Sequence, residues 1–266
     1  MRFRSLTELK RPELREVTLD SLPQSIAMDR YAHRKAFGIG EMVLDVHGES
    51  LEWYGFTLGT VERPDFITDI GLPHNDLNLQ VYAGLSAERI AAFQESLPEG
   101  VVINGWIHSH GALMLKDFSH TDERNHEVVL DFVSATLKKP VAKREVAIRD
   151  LVFLVKDRFA DEDLARGSVC IITDAPVREA VIMETVYGSF CHAIVVGDGG
   201  WHHQEIHTRE YGVLSGHART SHREAEVVLE DTGRAWSAAD MEALREQVAG
   251  KISPNKNPPL ETVERM

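Results

Sequence analysis

The residues of this chain best suited to chemistry lie in the run WIHSHGALMLKDFSHTD, from Trp106 to Asp122. His108 and His110 are one residue apart at the end of an apolar stretch. On a strand, residues i and i+2 face the same way, so two imidazoles project side by side from the strand end, where one metal ion could bridge them. Asp122 follows a loop and sits at the start of a helix. Two nitrogens and one carboxylate oxygen make a three-ligand set with a fourth tetrahedral position left for water, the arrangement of a catalytic rather than a structural zinc. Zinc lowers the pKa of such a water to about 7, so the expected chemistry is hydrolysis at neutral pH. A base must receive the water's proton, and the ligand segment holds no free carboxylate well placed for it. Glu52, which starts the strand LEWYGFTLG, is the best candidate, with Gly55 and Gly59 allowing close packing behind it. Glu49, on the turn just before, competes for the role.

The elements that must position these residues follow from pattern. The apolar spacing predicts a helix over 26–47, against which Gly38 and Gly40 count. Strands are predicted over 51–59 and 66–72, with a turn at 62–65, and over 77–83 by alternation. Ser86 is a good N-cap for a helix over 87–96 that ends at Leu97-Pro98. The run VVINGWIHSH reads as a strand over 101–110, and a helix capped by Ser119 or Thr121 runs to about Leu137. Further strands are expected at 151–155, 169–173 and 191–196. Alternating strands and helices give an α/β domain over 26–215. The polar residues 1–25 read as an N-terminal extension with weak structure. Residues 216–266 read as a C-terminal extension, a helix over 238–248 after a Ser237 cap and a disordered Pro/Asn-rich tail.

The active-site segments resemble the JAMM (MPN-plus, Mov34/PAD-1) metalloproteases, whose motif is an upstream Glu, then His-x-His, seven residues, Ser, two residues and Asp. LEWYGFTLG looks like the family's Glu-bearing strand. GWIHSH looks like its second segment, and Ser119-His120-Thr121-Asp122 supplies S-x-x-D. Two features depart from the pattern: eight residues separate His110 from Ser119, and Gly111 stands where the family often has Pro. The resemblance implies a single JAMM domain, cytidine-deaminase-like, with a central mixed β-sheet flanked by helices. It implies zinc on His108, His110 and Asp122, Glu52 as general base and then general acid, and the Ser119 hydroxyl beside the developing oxyanion. The activity implied is that of a deubiquitinase-like isopeptidase, cutting the bond after the C-terminal tail of a ubiquitin-like modifier with the tail laid along a strand. E1-like and E2-like conjugation enzymes are the implied partners, as in bacterial conjugation operons, some of them antiphage. A peptidase trimming a linear ubiquitin-like or sulfur-carrier precursor would use the same site, and a noncatalytic scaffold would have lost the ligands.

Other features have plainer readings. Ser119 also serves as an ordinary helix N-cap, and could do both jobs. His120 and His126 lie near the site but off the motif, as surface or supporting groups. In GGWHHQEIH, a hairpin turn leads into a strand, on which His203 and His207 share a face about 13 Å apart, too far for one ion, so the segment is read as structural. Leu113, Met114, Leu115 and Phe118 lie beside the site and are placed to contact a substrate tail. The formal net charge of -13 argues against nucleic acid as a partner, since phosphate binding needs a basic footprint. The charged N-terminus is no secretory signal, and no stretch approaches the ~18 apolar residues of a membrane span. Cys170 and Cys191 are expected as buried free thiols in a reducing compartment, with a disulfide between them left open. Cytoplasmic localisation is the resulting expectation.

Overall fold

The computed structural model describes residues 14–76, 85–111, 117–146, 151–177, 180–197, 200 and 202–253. In chain order the elements are β1 (Glu16–Thr18), β2 (Ile26–Asp29), α1 (Arg30–His47), β3 (Trp53–Thr60), β4 (Phe66–Ile67), β5 (Asp69–Gly71) and β6 (Asn75–Asp76). Then come α2 (Ala87–Glu95), β7 (Val101–Ser109), α3 (His120–Thr136), β8 (Lys139–Val146), β9 (Leu151–Val155), α4 (Asp161–Leu164) and β10 (Val169–Thr173). The last are β11 (Ile182–Val196), β12 (His202–Gly212), β13 (Ala218–Glu224), β14 (Val227–Glu230), α5 (Ala238–Lys251) and β15 (Ile252–Ser253).

Two compact units partition the chain. One takes the described residues within 14–21, 140–187 and 210–219, the other those within 22–139, 188–209 and 220–253. In the first unit, β1 pairs antiparallel with β8 and β9 pairs parallel with β10. Its Glu184 side chain is fully buried against Arg144 (Nη2 to Oε1, 2.8 Å). The same carboxylate accepts the backbone N–H groups of Leu214 and Ser215 and the Ser215 hydroxyl.

The second unit is mixed α/β, with a central mixed sheet flanked by helices. Strand β7 lies between β11, to which it is parallel, and β3, to which it is antiparallel; β5 adds antiparallel to β3. Both faces of β7 are covered, so VVINGWIHS is nearly all buried and shows no polar alternation. On one face, Ile107, Trp53 and Ile70 pack with Ala36, Ile39 and Val43 of α1 and Leu244 and Val248 of α5. On the other, Trp106, Tyr54 and Phe56 pack with Ile90 of α2 and Val129, Leu130 and Val133 of α3. Gly55 is needed between these layers, because a Cβ there would lie 2.8 Å from the Gly71 carbonyl oxygen.

Several expectations are corrected. The helix expected from Ile26 begins only at Arg30, because Ile26–Asp29 pairs in parallel with β14 and β4, and the Asp29 carboxylate then caps α1 by accepting the Tyr31 N–H (2.9 Å). The single strand expected over 66–72 is two short ones on different partners, broken where Thr68 N–H turns to Leu58 O (2.7 Å). The strand expected from Leu51 begins at Trp53, with Glu52 just before it. The strand expected over 191–196 begins at Ile182. Strands β8, β13 and β14 were not expected at all. The segment read as a C-terminal extension contributes β14 and α5 to the second unit; Tyr31 Oη of α1 donates to Asp240 of α5 (2.8 Å), and Arg245 pairs with Asp45. Both cysteines are free, but only Cys191 is buried; Cys170 is partly exposed. Residues 77–83 and the C-terminal tail lie outside the described residues, and among the described residues no helix is long and apolar enough to cross a membrane.

Candidate metal centre

The helix α3 is fixed by its first turn. The Ser119 hydroxyl accepts the Asp122 N–H (3.2 Å), and Asp122 Oδ2 accepts the Ser119 N–H (2.7 Å), a complete capping box. The cap is therefore Ser119, not Thr121. This reciprocal pair does more than start a helix: it locks the Asp122 carboxylate in one orientation, facing the end of β7. There His108 and His110 project from the same face of the strand, as their spacing predicts. His108 Nε2 lies 3.2 Å from His110 Nε2. Asp122 Oδ2 is 3.3 Å from His110 Nε2, and Oδ1 is 3.4 Å from His108 Nε2.

These three separations test the fit of a metal. Ligand bonds of about 2.0–2.1 Å in a tetrahedral zinc site put neighbouring donor atoms about 3.3–3.4 Å apart. The imidazole–imidazole separation and the two imidazole–carboxylate separations, one to each Asp122 oxygen, all lie close to that figure. The side chains are only 5, 7 and 11% exposed for His108, His110 and Asp122, so the donors are already desolvated and oriented. Burial works against the Asp122 carboxylate, yet hydrogen bonds from His108, His110 and Ser119 outweigh it and hold its pKa far below the carboxylate range. Burial also lowers the pKa of His108, favouring the neutral imidazole that binds cations. This buried group could hold a metal ion.

Glu52 enters through the register of β3 against β7. Trp53 faces Ser109 and Tyr54 faces His108; Glu52 and His110 are the next residues beyond the end of this ladder, and continuing the register by one step would bring them opposite each other. Directly opposed residues share a sheet face, which would put Glu52 on the side of the two imidazoles. Its pKa is raised by burial; nearby His110 pulls it down and Asp122 pushes it up. Glu49 sits instead on an exposed bend after α1. The backbone beside Glu52 also accounts for Gly111. That residue has φ +57°, and a Cβ on it would meet Leu51 C at 3.3 Å and Glu52 N at 3.4 Å. A left-handed residue without a side chain lets the chain leave His110 past the Glu52 backbone.

Around this centre, Trp106 stacks on His108 (ring centroids 4.2 Å, 20°) and Phe118 lies 5.9 Å from it. His120 is on the surface beside Glu123. His126 is fully buried, 6.1 Å from His108. Leu113, Met114 and Leu115 lie outside the described residues. One group escaped sequence reasoning. Glu205, His207 and His222 bring their ligand atoms within 4.8 Å of one another. The segment around His203 and His207 was read as structural because those two are too far apart for one ion; the missing donor, His222, comes from β13, and nothing local to GGWHHQEIH announces it.

No family model and no curated protein matches the chain.

Proposed function

We propose that this protein is a zinc-dependent hydrolase of the JAMM type, an isopeptidase that removes or processes a ubiquitin-like modifier by hydrolysing the bond after its C-terminal tail. The observation that carries this reading is the pre-formed, buried cluster of His108, His110 and Asp122 donors with Glu52 just beyond the end of the β3–β7 ladder, near enough for His110 and Asp122 to act on its charge. When bound, zinc supplies Lewis acidity, which acidifies water and polarises a carbonyl.

The chain's own residues have distinct tasks. His108, His110 and Asp122 would hold the cation. Glu52, with its pKa raised by burial, takes the proton of the attacking water and delivers it to the leaving amine. The Ser119 oxygen accepts the Asp122 N–H, which leaves its own proton free to donate to the developing oxyanion. The modifier's extended tail adds alongside an exposed strand. E1-like and E2-like conjugation enzymes are the partners this reading implies.

The test uses a panel of ubiquitin-like proteins, each joined through its C-terminal glycine either to a lysine side chain or to a linear peptide. The expected result is cleavage that EDTA abolishes and zinc restores, with Glu52→Gln inactive but still loaded with metal. Cleavage undiminished by EDTA, or full activity in Glu52→Gln, contradicts the proposal. Preference for the linear substrates would identify a precursor-trimming peptidase instead.

A further inference from the structure

We propose that Glu205, His207 and His222 form a second divalent transition-metal site, separate from the His108 cluster, with His203 near the far oxygen of Glu205. The argument starts from strand geometry. Residues 203, 205 and 207 alternate onto one face of β12, so Glu205 sits between the two histidines that are individually too far apart to share an ion. Strand β13 pairs with β12 and brings His222 across. The result is one carboxylate met from two sides: Glu205 Oε2 is 3.1 Å from His207 Nε2 and 2.9 Å from His222 Nδ1. Its other oxygen, Oε1, is 3.6 Å from His203 Nε2.

The donor set is two imidazole nitrogens and a carboxylate oxygen, which suits zinc, cobalt or nickel and ill suits calcium or magnesium. The surroundings favour a cation. The cluster lines a cavity of about 730 Å³, whose helix side carries Glu123 and Glu127. The cavity's Arg209 is already paired with Asp131. Behind the site the His126 ring stacks on His207 at 4.9 Å, and among the described residues neither of its nitrogens has a hydrogen-bond partner. The Glu205 and His207 side chains are 16 and 12% exposed, whereas His222 is 65% exposed. A bound ion would therefore fasten β13 to β12 through its most exposed ligand.

The site is independent of the proposed hydrolase activity, and zinc alone tests it. The full chain, stripped with EDTA and dialysed, is titrated with zinc against a chromophoric chelator, and the stoichiometry is checked by native mass spectrometry. The wild type should bind two equivalents. The His108→Ala/His110→Ala variant should keep one, and adding zinc to it should perturb the imidazole nitrogen resonances of His207 and His222. His222→Ala, at an exposed position that leaves the fold intact, should weaken one equivalent by at least roughly tenfold and leave the other unchanged. The proposal is overturned if His222→Ala binds zinc as the wild type does, or if a folded His108→Ala/His110→Ala chain binds none. One zinc that survives in the His108→Ala/His110→Ala chain and is lost on adding His222→Ala supports the second site even if the first binds nothing.

Discussion

Two clusters in the second unit use the same side chains, two histidines and a carboxylate, and differ in what holds them. In the first, each donor is pinned. His108 and His110 end a strand covered on both faces, and Asp122 is clamped by its own capping box. The two imidazoles lie 3.2 Å apart and each is 3.3–3.4 Å from an Asp122 oxygen, and every donor is nearly buried. In the second, Glu205 and His207 stand on one strand while the exposed His222 reaches over from the next. The contrast shows that donor identity alone does not decide how ready a cluster is to take an ion. Pre-organisation does, because a donor already desolvated and oriented loses little entropy on binding.

That comparison can be broken by mutation. The largest effect is expected from His108→Ala combined with His110→Ala, which should remove the tight zinc and all hydrolysis together; retention of both would void the distinction. Next comes Glu52→Gln, with turnover down by about 10²–10⁴-fold at unchanged zinc content, measured side by side on one preparation. Limited chelator should empty the two sites in order, the Glu205 cluster before the His108 cluster, and the reverse order would show that burial does not set their ranking. The smallest effect is at Ser119. Ser119→Ala should cost about 1 kcal/mol of stability by loss of the cap, read from denaturant midpoints, along with a fall in kcat that separates its oxyanion role from its capping role.

A third carboxylate, Glu184 in the first unit, sharpens the point from the other side. It is buried, but fixed donors consume it: burial raises its pKa, while Ser215, Arg144 and Leu214 outweigh that and bring it down to about 2. A carboxylate with a depressed folded pKa stabilises the fold fully above its unfolded value of about 4.3. That stabilisation is lost as pH falls from there toward 2. Glu184→Ala should cost on the order of 3 kcal/mol, since it strands Arg144 and two backbone N–H groups, and it should flatten the acid limb of the stability profile between about pH 4.3 and 2. An acid limb identical to the wild type's would show that Glu184 does not titrate this way.

How much could be read from the sequence depended on how local the cause was. Ser119 and Asp122 announce their helix within four residues, and His108 and His110 share a face by strand periodicity alone. The helices after Ser86 and Ser237 were legible for the same reason. Ile26–Asp29 was not, because its four apolar-rich residues fit a helix as well as a strand, and what decides is pairing with Val227–Glu230, about two hundred residues away. Glu52 could be named as a candidate, but its position near His110 depends on the register of β3 against β7. The Glu205 cluster was hidden for a related reason: His203 and His207 are visible as a pair that fails, and only the cross-strand arrival of His222 turns failure into a donor set.

The central claim is that three side chains converge on one cation. Crystals grown with one equivalent of zinc and measured across its absorption edge test this directly. The account predicts an anomalous peak bonded to His108 Nε2, His110 Nε2 and one Asp122 oxygen. Zinc bound elsewhere, with those three side chains holding nothing between them, would contradict it.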